Sequence, residues 1–230
     1  MKRFYKDVAV VETPGGYRFL LDGKPVQTPG RQTLLLPNLA LADALAEEWR
    51  AQGDEMNPLT MPLTRLVNTV VDGVRANRAG TIGAILRFGE NDLLSYRAEA
   101  PAELARRQRQ WDVHLDWAEN RHGVRLRATG GIAHVEQSSE DLGRLRAIVT
   151  ALDDYALAAL HVFSSITGSL VLGLAVLEGE LTAGQAFALS RLDEAYQAEQ
   201  WGADPEAEER AARLAREMEQ AARLAALSRT

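Results

Sequence analysis

Acidic and polar side chains gather around a tryptophan near the end of the chain, and residues of these types could either react or bind. Asp193, Glu194 and Glu199 are carboxylates close in sequence, and Gln197 and Trp201 lie among and after them. Carboxylates beside a histidine could act as general acid and base in a hydrolysis. The same residues on an exposed helix face would instead form a binding surface with the tryptophan as its anchor. These residues alone leave open a carboxylate-dependent hydrolase and a binding protein.

Most other reactive sites are missing from the sequence. It has no cysteine, which excludes disulfides, thiolate metal ligands and cysteine nucleophiles. No serine lies in a G-x-S-x-G pattern, and the pairs Gly15-Gly16 and Gly130-Gly131 lack the lysine of a phosphate-binding loop. The histidines show no metal-ligand spacing. We therefore predict no catalytic residue, no metal and no cofactor. The histidines are His114, His122, His134 and His161.

Charge limits the class of partner. The 230 residues carry 26 basic and 32 acidic side chains, a formal net charge of −6. The arginine run at 106–109 is locally balanced, because nine arginines face eight acids between residues 97 and 146. We expect no nucleic-acid partner, since such proteins usually carry a basic surplus. From Asp153 to the end, 13 acidic residues face six basic ones, which favours a partner surface with basic residues.

The first forty residues have the pattern of a small β-sheet. Val8–Val11 and Tyr17–Leu21 flank Pro14-Gly15-Gly16, which is a hairpin signal. The turn Asp22-Gly23 follows, and Thr33–Leu36 has the composition of a further short strand. The sequence therefore predicts a strand-rich beginning.

Helical periodicity follows the sheet. Asn38 is a typical N-cap for a helix with Leu41, Leu45 and Trp49 on one stripe, which favours a core position for Trp49. From Ser138 onward the pattern is helical to the end of the chain.

The composition changes at about residues 97–101, where Pro101 can open a long polar helix that ends at Gly123. A strand-like alternation at Val124–Arg127 comes next. We predict an α+β fold, with a small β-rich N-terminal domain that also carries helices at residues 1–100. An α-helical bundle forms the C-terminal domain at residues 101–230.

One apolar segment needs separate treatment. Tyr155–Leu177 is 23 residues without a formal charge, a length that could span a membrane. Hydroxyl side chains and Gly168 interrupt it, acids flank it, and no basic cluster anchors it. We interpret it as two bundle helices that meet near residues 164–168, and we expect no membrane insertion. A peripheral membrane protein that uses this segment is a third hypothesis.

Several separated motifs resemble one known family. They are polar and aromatic, and they occur in that family's order over nearly the whole chain. The chain resembles the assembly-chaperone family for the alpha subunit of the F-type ATP synthase. The motifs are Arg3–Lys6, Leu21–Lys24, Ala46–Gln52, Met61–Thr64, Gln110–Asp112, Leu115–Trp117 and Leu192–Gly202.

The resemblance implies a function. It implies an ATP-independent chaperone, not an enzyme, that binds the free alpha subunit and prevents its aggregation until beta subunits join. It also implies a small α+β domain followed by a helical one. Val113-His114 departs from the Pro-Leu expected in the family, so we expect that helix to run straighter here. The first residues show no secretory or transit pattern, and we expect a bacterial, cytoplasmic monomer.

The client-binding residues are predicted chiefly at the end of the Leu192–Gly202 segment. Glu194, Gln197 and Trp201 have helical spacings of three and four, so they share one face. Leu189 and Leu192 are expected to supply core contacts of the same helix. The predicted partner-binding residues are Glu194, Gln197, Glu199, Trp201, Asp204 and Trp49.

Overall fold

The structure is a computed structural model that describes residues 2–131 and 133–229. Among these residues, strands are confined to the first part of the chain and to one later short pair, and helices make up most of the rest, so the predicted α+β class is confirmed. The strands are β1 Val8–Thr13, β2 Gly16–Leu21, β3 Lys24–Pro25, β4 Tyr96–Arg97 and β5 Thr129–Gly130. The helices are α1 Leu39–Arg50, α2 Pro62–Thr69, α3 Arg78–Glu90, α4 Ala102–Gln108, α5 Asp112–His122, α6 Ser139–Ala151, α7 Asp154–Thr167, α8 Leu170–Glu178, α9 Ala183–Ser190, α10 Leu192–Trp201 and α11 Pro205–Arg229.

The chain packs into two compact units, and neither is one continuous stretch. The first comprises Met1–Arg78 together with Asp154–Ala158 and Arg223–Thr230, and the second comprises Ala79–Asp153 and Ala159–Ala222. The compact units do not show which parts of the chain fold independently. The boundary between the predicted domains at 1–100 and 101–230 therefore stays a prediction.

The predicted hairpin forms the sheet of the first unit. β1 and β2 pair antiparallel from Val8↔Leu21 to Thr13↔Gly16, and β3 adds to the other side of β2. The turn needs glycine, because Gly15 has a φ of 88° and a side chain at Gly16 would collide with the Leu36 carbonyl. α1 packs on this sheet and begins at the predicted N-cap, where Asn38 Oδ1 accepts the Leu41 N–H at 2.9 Å.

The strand predicted at Thr33–Leu36 does not form as a regular strand. Thr33 makes an isolated bridge to Gln27, and Leu36 makes one to Tyr17. The segment therefore bonds to two different neighbours, and no continuous ladder develops along it.

The strand-like pattern at Val124–Arg127 is also not a strand. Val124 and Leu126 are buried as the alternation predicts, but the backbone pairs with side chains. The Arg125 N–H donates to Asp141 Oδ1 at 3.0 Å, and the Arg127 N–H donates to Gln137 Oε1 at 2.8 Å. Carboxylate and amide oxygens thus take the place of a neighbouring strand.

The polar helix expected after Pro101 is divided. α4 passes into a 3₁₀ turn at Arg109–Trp111, and α5 then continues to the predicted cap at Gly123, whose φ is 68°. Trp111 is buried in the second unit, and its Nε1–H donates to the Leu189 carbonyl at 2.9 Å. This bond ties the turn to α9.

A buried carboxylate joins α3 to α8 in the second unit. Asp92 follows α3 and is fully inaccessible to solvent. Its two oxygens accept the Leu94 N–H at 3.0 Å and the Val171 N–H at 3.1 Å. Burial raises the pKa of Asp92 to about 6, against hydrogen bonds from Ser169 and the backbone that lower it.

Candidate functional site

α10 holds four of the predicted partner-binding residues. It begins after a break at Arg191 and ends at Trp201, with Gly202 as its C-cap. No residue of α10 is buried, and Trp201 is 79% exposed. Leu189 belongs to α9, so the expectation that it supplies core contacts of the same helix is wrong, because the chain leaves helical geometry at Arg191.

The face that carries Glu194, Gln197 and Trp201 is open to solvent. All three side chains are exposed. Glu194 pairs with Arg191 on the same segment, with 2.9 Å between Oε1 and Nη1. This surface offers a carboxylate, an amide and an indole ring in a row along about two turns of helix.

Glu199 is exposed, and its carboxylate forms an ion pair with another residue of the second unit. Arg107 Nη1 and Nη2 donate to its two carboxylate oxygens at 2.8 and 2.7 Å. The Arg107 Nε–H donates to Glu103 at 3.1 Å, and its guanidinium lies 5.4 Å from the centre of the Tyr196 ring. The hydrogen bonds from Arg107 hold the pKa of Glu199 below its usual range.

A second polar contact between α4 and α10 lies nearly two turns closer to the beginning of α10. Gln108 is buried, and its Nε2–H donates to Asp193 Oδ1 at 2.7 Å. α10 is therefore held against α4 by polar contacts at both ends, in place of a buried apolar face. We call this set the α4–α10 clamp; its members are Glu103, Arg107, Gln108, Asp193 and Glu199.

Asp204 has a local structural role. Its Oδ1 accepts the Glu206 N–H at 3.0 Å, and its carbonyl accepts the Glu208 N–H at 2.9 Å. Both bonds start α11, whose first N–H groups would otherwise lack acceptors. The residue remains exposed.

Trp49 lies in the first unit, on α1. It is half-buried, with ring centroids 5.4 Å from Tyr5 and 5.6 Å from Phe19. Its Nε1–H donates to Thr64 Oγ1 at 3.2 Å. The ring also lines a cleft of about 340 Å³ together with Phe4. Trp49 is therefore both a packing residue and part of an accessible concave surface.

A buried carboxylate fixes the surroundings of Trp49, and the sequence prediction missed it. Glu48 Oε1 accepts the Leu63 N–H at 2.8 Å, and Oε2 accepts the N–H and the hydroxyl of Thr64, each at 2.8 Å. Glu48 thus caps the beginning of α2, where N–H groups need acceptors. Pro62 signals that helix start, but its partner 14 residues earlier has no motif of its own.

Arg107 was missed for a related reason. Its spacing of four from Glu103 is a recognisable helix pair. Its stronger partner, Glu199, is 92 positions away along the chain. Such a pairing has no signal within a local window.

The carboxylates considered for hydrolysis are each held by a cationic or amide group. Asp193 accepts from Gln108, Glu194 pairs with Arg191, and Glu199 pairs with Arg107. No hydrogen bond joins these carboxylates to a histidine in the part of the chain that the structure describes. Among the same residues, no group of three or more histidine and carboxylate side chains is arranged to hold a metal ion.

The apolar segment at 155–177 is divided as expected. α7 and α8 are separate helices with Gly168 between them, at a φ of 68°. Within residues 2–131 and 133–229, no helix has both the length and the apolar composition needed to cross a bilayer.

Comparison with known proteins places the chain among chaperones. A family model described as ATP12 chaperone protein matches residues 2–119. Protein atp12, mitochondrial, of Schizosaccharomyces pombe is 28% identical over 222 residues, which are 90% of this chain and 76% of that protein.

Two solved structures match this chain over nearly its full length. Crystalline Atp12 from Paracoccus denitrificans is 43% identical with a TM-score of 0.96, covering 99% of this chain and 98% of its own. The Atu1473 protein of Agrobacterium tumefaciens is 46% identical with a TM-score of 0.91, covering 98% of this chain and 85% of its own. The chain therefore belongs to the ATP12 chaperone family, the assembly chaperones of the F1 ATP synthase.

Proposed function

We propose that this protein binds the free alpha subunit of the F-type ATP synthase and prevents its aggregation, without ATP, until beta subunits join. An isolated subunit exposes apolar surface that its neighbours would cover, and such surface drives aggregation. A holding protein needs a complementary surface and no chemical step. We accordingly propose that the protein is not an enzyme, and that it works as a monomer in the bacterial cytoplasm.

The observation that carries this proposal is the exposed face of α10. A helix without a buried residue ends in a tryptophan that is 79% exposed. Exposed aromatic side chains surrounded by polar groups are typical binding anchors. We propose Glu194, Gln197 and Trp201 as direct client contacts, with Asp204 at the end of the same surface. We propose Glu199 as a residue that holds this surface in place, and Trp49 as a separate contact on the first unit.

The acidic surplus supports a client surface with basic residues. From Asp153 onward acidic residues outnumber basic ones by 13 to six. Charge complementarity of this kind raises association rates and specificity more than affinity. We therefore expect association to slow as salt is added, because exposed charges are screened.

The test is a solubility assay with purified alpha subunit. Equimolar chaperone is expected to suppress light scattering of the diluted subunit equally with and without ATP. Bovine serum albumin at the same concentration serves as the control for non-specific protection. Aggregation that continues at equimolar chaperone would contradict the proposal. Protection at catalytic amounts with chemical turnover of the client would instead favour the hydrolase.

A further inference from the structure

β1 is an edge strand. It pairs with β2 through six consecutive residue pairs without a bulge, and the sheet order is β1-β2-β3. Among the described residues, no further strand pairs with its other side. An edge of this kind presents a row of backbone donors and acceptors to whatever lies beside it.

The alternation of an antiparallel ladder determines which groups point outward. The Asp22 N–H donates to the Asp7 carbonyl at 3.1 Å, so this pair belongs to the hydrogen-bonded set. Every second residue after Asp7 therefore bonds to β2. The residues between them, Val8, Val10 and Glu12, direct their N–H and C=O groups away from the sheet.

Only the beginning of this edge is occupied. The Val8 carbonyl accepts from Arg50 Nη2 at 3.1 Å. No hydrogen bond of the described residues reaches the outward groups of Val10 or Glu12. Natural edge strands are usually protected by several charged side chains, proline or a bulge. β1, with the sequence VAVVET, has one charged residue, Glu12, and neither proline nor a bulge.

We propose that the β1 edge, meaning the outward backbone groups of Val10 and Glu12, binds an extended segment of the client as an added strand. This proposal rests on the proposed function, because the occupant is a segment of the alpha subunit. Ala9 and Val11 are half-exposed beside the edge, so they can pack against apolar side chains at alternating positions of that segment.

Charge favours a client segment over a second copy of this chain. Three exposed acids, Asp7, Glu12 and Glu47, lie along or next to the edge, against two basic residues, Lys6 and Arg50, and Arg50 is already paired with Glu47 at 2.6 Å. A segment with basic residues complements this edge. A second copy paired antiparallel about Val10 would bring Glu12 of each chain near Asp7 of the other, and like charges disfavour such pairing.

The sharpest variant removes one outward donor. Glu12→Pro deletes the Glu12 N–H, which β2 does not use, while Glu12→Ala removes the same side chain and keeps the donor. We expect Glu12→Pro to weaken capture of purified alpha subunit by about fivefold relative to Glu12→Ala, with similar melting temperatures. Equal capture by the two variants would overturn the proposal.

Amide hydrogen exchange of the unmodified protein gives a second measurement that does not depend on the variant's stability. We expect the alpha subunit to slow exchange at Val10 and Glu12, while the intervening Val11 is already protected by β2. Unchanged exchange at both amides in the bound complex would overturn the proposal, even if Glu12→Pro fails to fold.

The remaining outcomes separate this proposal from the proposed function. If the unmodified chain does not capture the alpha subunit, the proposed function fails, and the edge loses its occupant with it. If capture is intact but the edge is unaffected, only the present inference fails. Protection that appears when this chain alone is concentrated, with a doubled mass, would make a second copy the occupant and overturn the client assignment.

Discussion

Substitution of one exposed side chain, Glu194, tests the proposed client contact on α10. We expect Glu194→Lys to weaken alpha-subunit capture clearly while leaving the melting temperature nearly unchanged. The pair with Arg191 is solvent-exposed and contributes at most about 1 kcal/mol to stability. At an interface the same reversal places a wrong charge in a partly desolvated contact, which typically costs about 2 kcal/mol or more. A pull-down and a thermal melt on one preparation measure both effects.

Glu217→Lys is the matched control. Glu217 is exposed on α11 in the same unit, and its substitution changes the net charge equally. If both variants lose capture alike, the effect is one of overall charge. Loss of capture with a collapsed melt for Glu194→Lys alone would make Glu194 a structural residue.

The buried Asp92 side chain predicts how the stability of the protein depends on pH. Burial raises the pKa of Asp92 from 3.8 to about 6, so the folded protein holds this proton more tightly than the unfolded chain does. The stabilisation from this proton is fully present below about pH 4 and is lost as pH rises through about 6. Replacement by asparagine removes the titration but also presents an NH₂ group to backbone donors. We therefore expect Asp92→Asn to be less stable overall, and its deficit to be larger at pH 4.5 than at pH 7.

Comparing the stability of the unmodified protein with that of Asp92→Asn at each pH isolates the titration of Asp92 from that of other groups. Glu103 and Glu199 have lowered pKa values, so their ion pairs are lost as pH falls, which opposes the Asp92 trend. Melting both proteins from pH 4 to pH 7 cancels these shared contributions. A deficit that is constant across this range would show that Asp92 does not titrate there.

At the scale of elements, the α4–α10 clamp determines whether the binding face is presented. Arg107→Glu and Glu199→Arg each place like charges together, so we expect each to increase amide exchange along α10 and to weaken capture several-fold. The double variant restores opposite charges at positions 107 and 199 in reversed order. We expect it to recover part of both losses, because the carboxylate at position 107 still faces Glu103. If Glu199 touches the client directly, the double variant will recover the exchange rates but not the capture.

Arg106→Glu is the control for the clamp. Arg106 is the neighbour of Arg107, and its ion pair is with Glu103 on the same helix. We expect this variant to leave exchange along α10 unchanged. Faster exchange in it would show that reversing the charge of another Glu103 partner is enough to disturb α10, and the specific role of Arg107 would then be wrong.

Elements with local signals were predictable from the sequence. The hairpin follows from Gly15-Gly16, the beginning of α1 from Asn38, and the end of α5 from Gly123, because the reason for each lies within a few residues. Thr33–Leu36 and Val124–Arg127 have strand-like patterns, yet neither builds a ladder. The first bridges two different neighbours, and the second bonds to side-chain oxygens. Burial alternation was therefore correct at Val124–Arg127, while strand pairing was not.

The residues of the candidate site likewise include some that were predictable from the sequence and some that were not. Helical spacing placed Glu194, Gln197 and Trp201 on one exposed face of α10. The pairing of Glu199 with Arg107 joins positions 92 apart, and the capping of α2 by Glu48 joins two helices. Contacts between such positions leave no periodic pattern in the sequence, so the roles of these residues could be assigned only from the structure.

At the scale of the whole molecule, the predicted boundary near residue 100 can be tested by division. The first unit includes Tyr155, Leu157 and Leu224, which are 5%, 0% and 0% exposed. A fragment of residues 1–100 lacks all three, and the loss of even one large buried side chain costs about 2–5 kcal/mol. We expect this fragment to melt at a lower temperature than the full chain, or not cooperatively.

Circular dichroism of fragments 1–100 and 101–230, alone and mixed, measures this. We expect neither fragment alone to hold the alpha subunit, since the predicted contacts are divided between Trp49 and α10. A fragment of residues 1–100 that melts like the full chain would show that the later segments are dispensable. Capture by one fragment at full strength would contradict a client surface shared between both parts.

The divided first unit also has a consequence for synthesis on the ribosome. Its early part ends at Arg78, and its last segment begins only at Arg223. At about 5 to 20 residues per second, translation of the intervening stretch takes roughly 7 to 30 s. During that interval the nascent chain has its hairpin and α1 but lacks the residues that complete their packing. Slower codons ahead of position 223 would prolong this exposed state, and the yield of soluble protein would fall although no amino acid had changed.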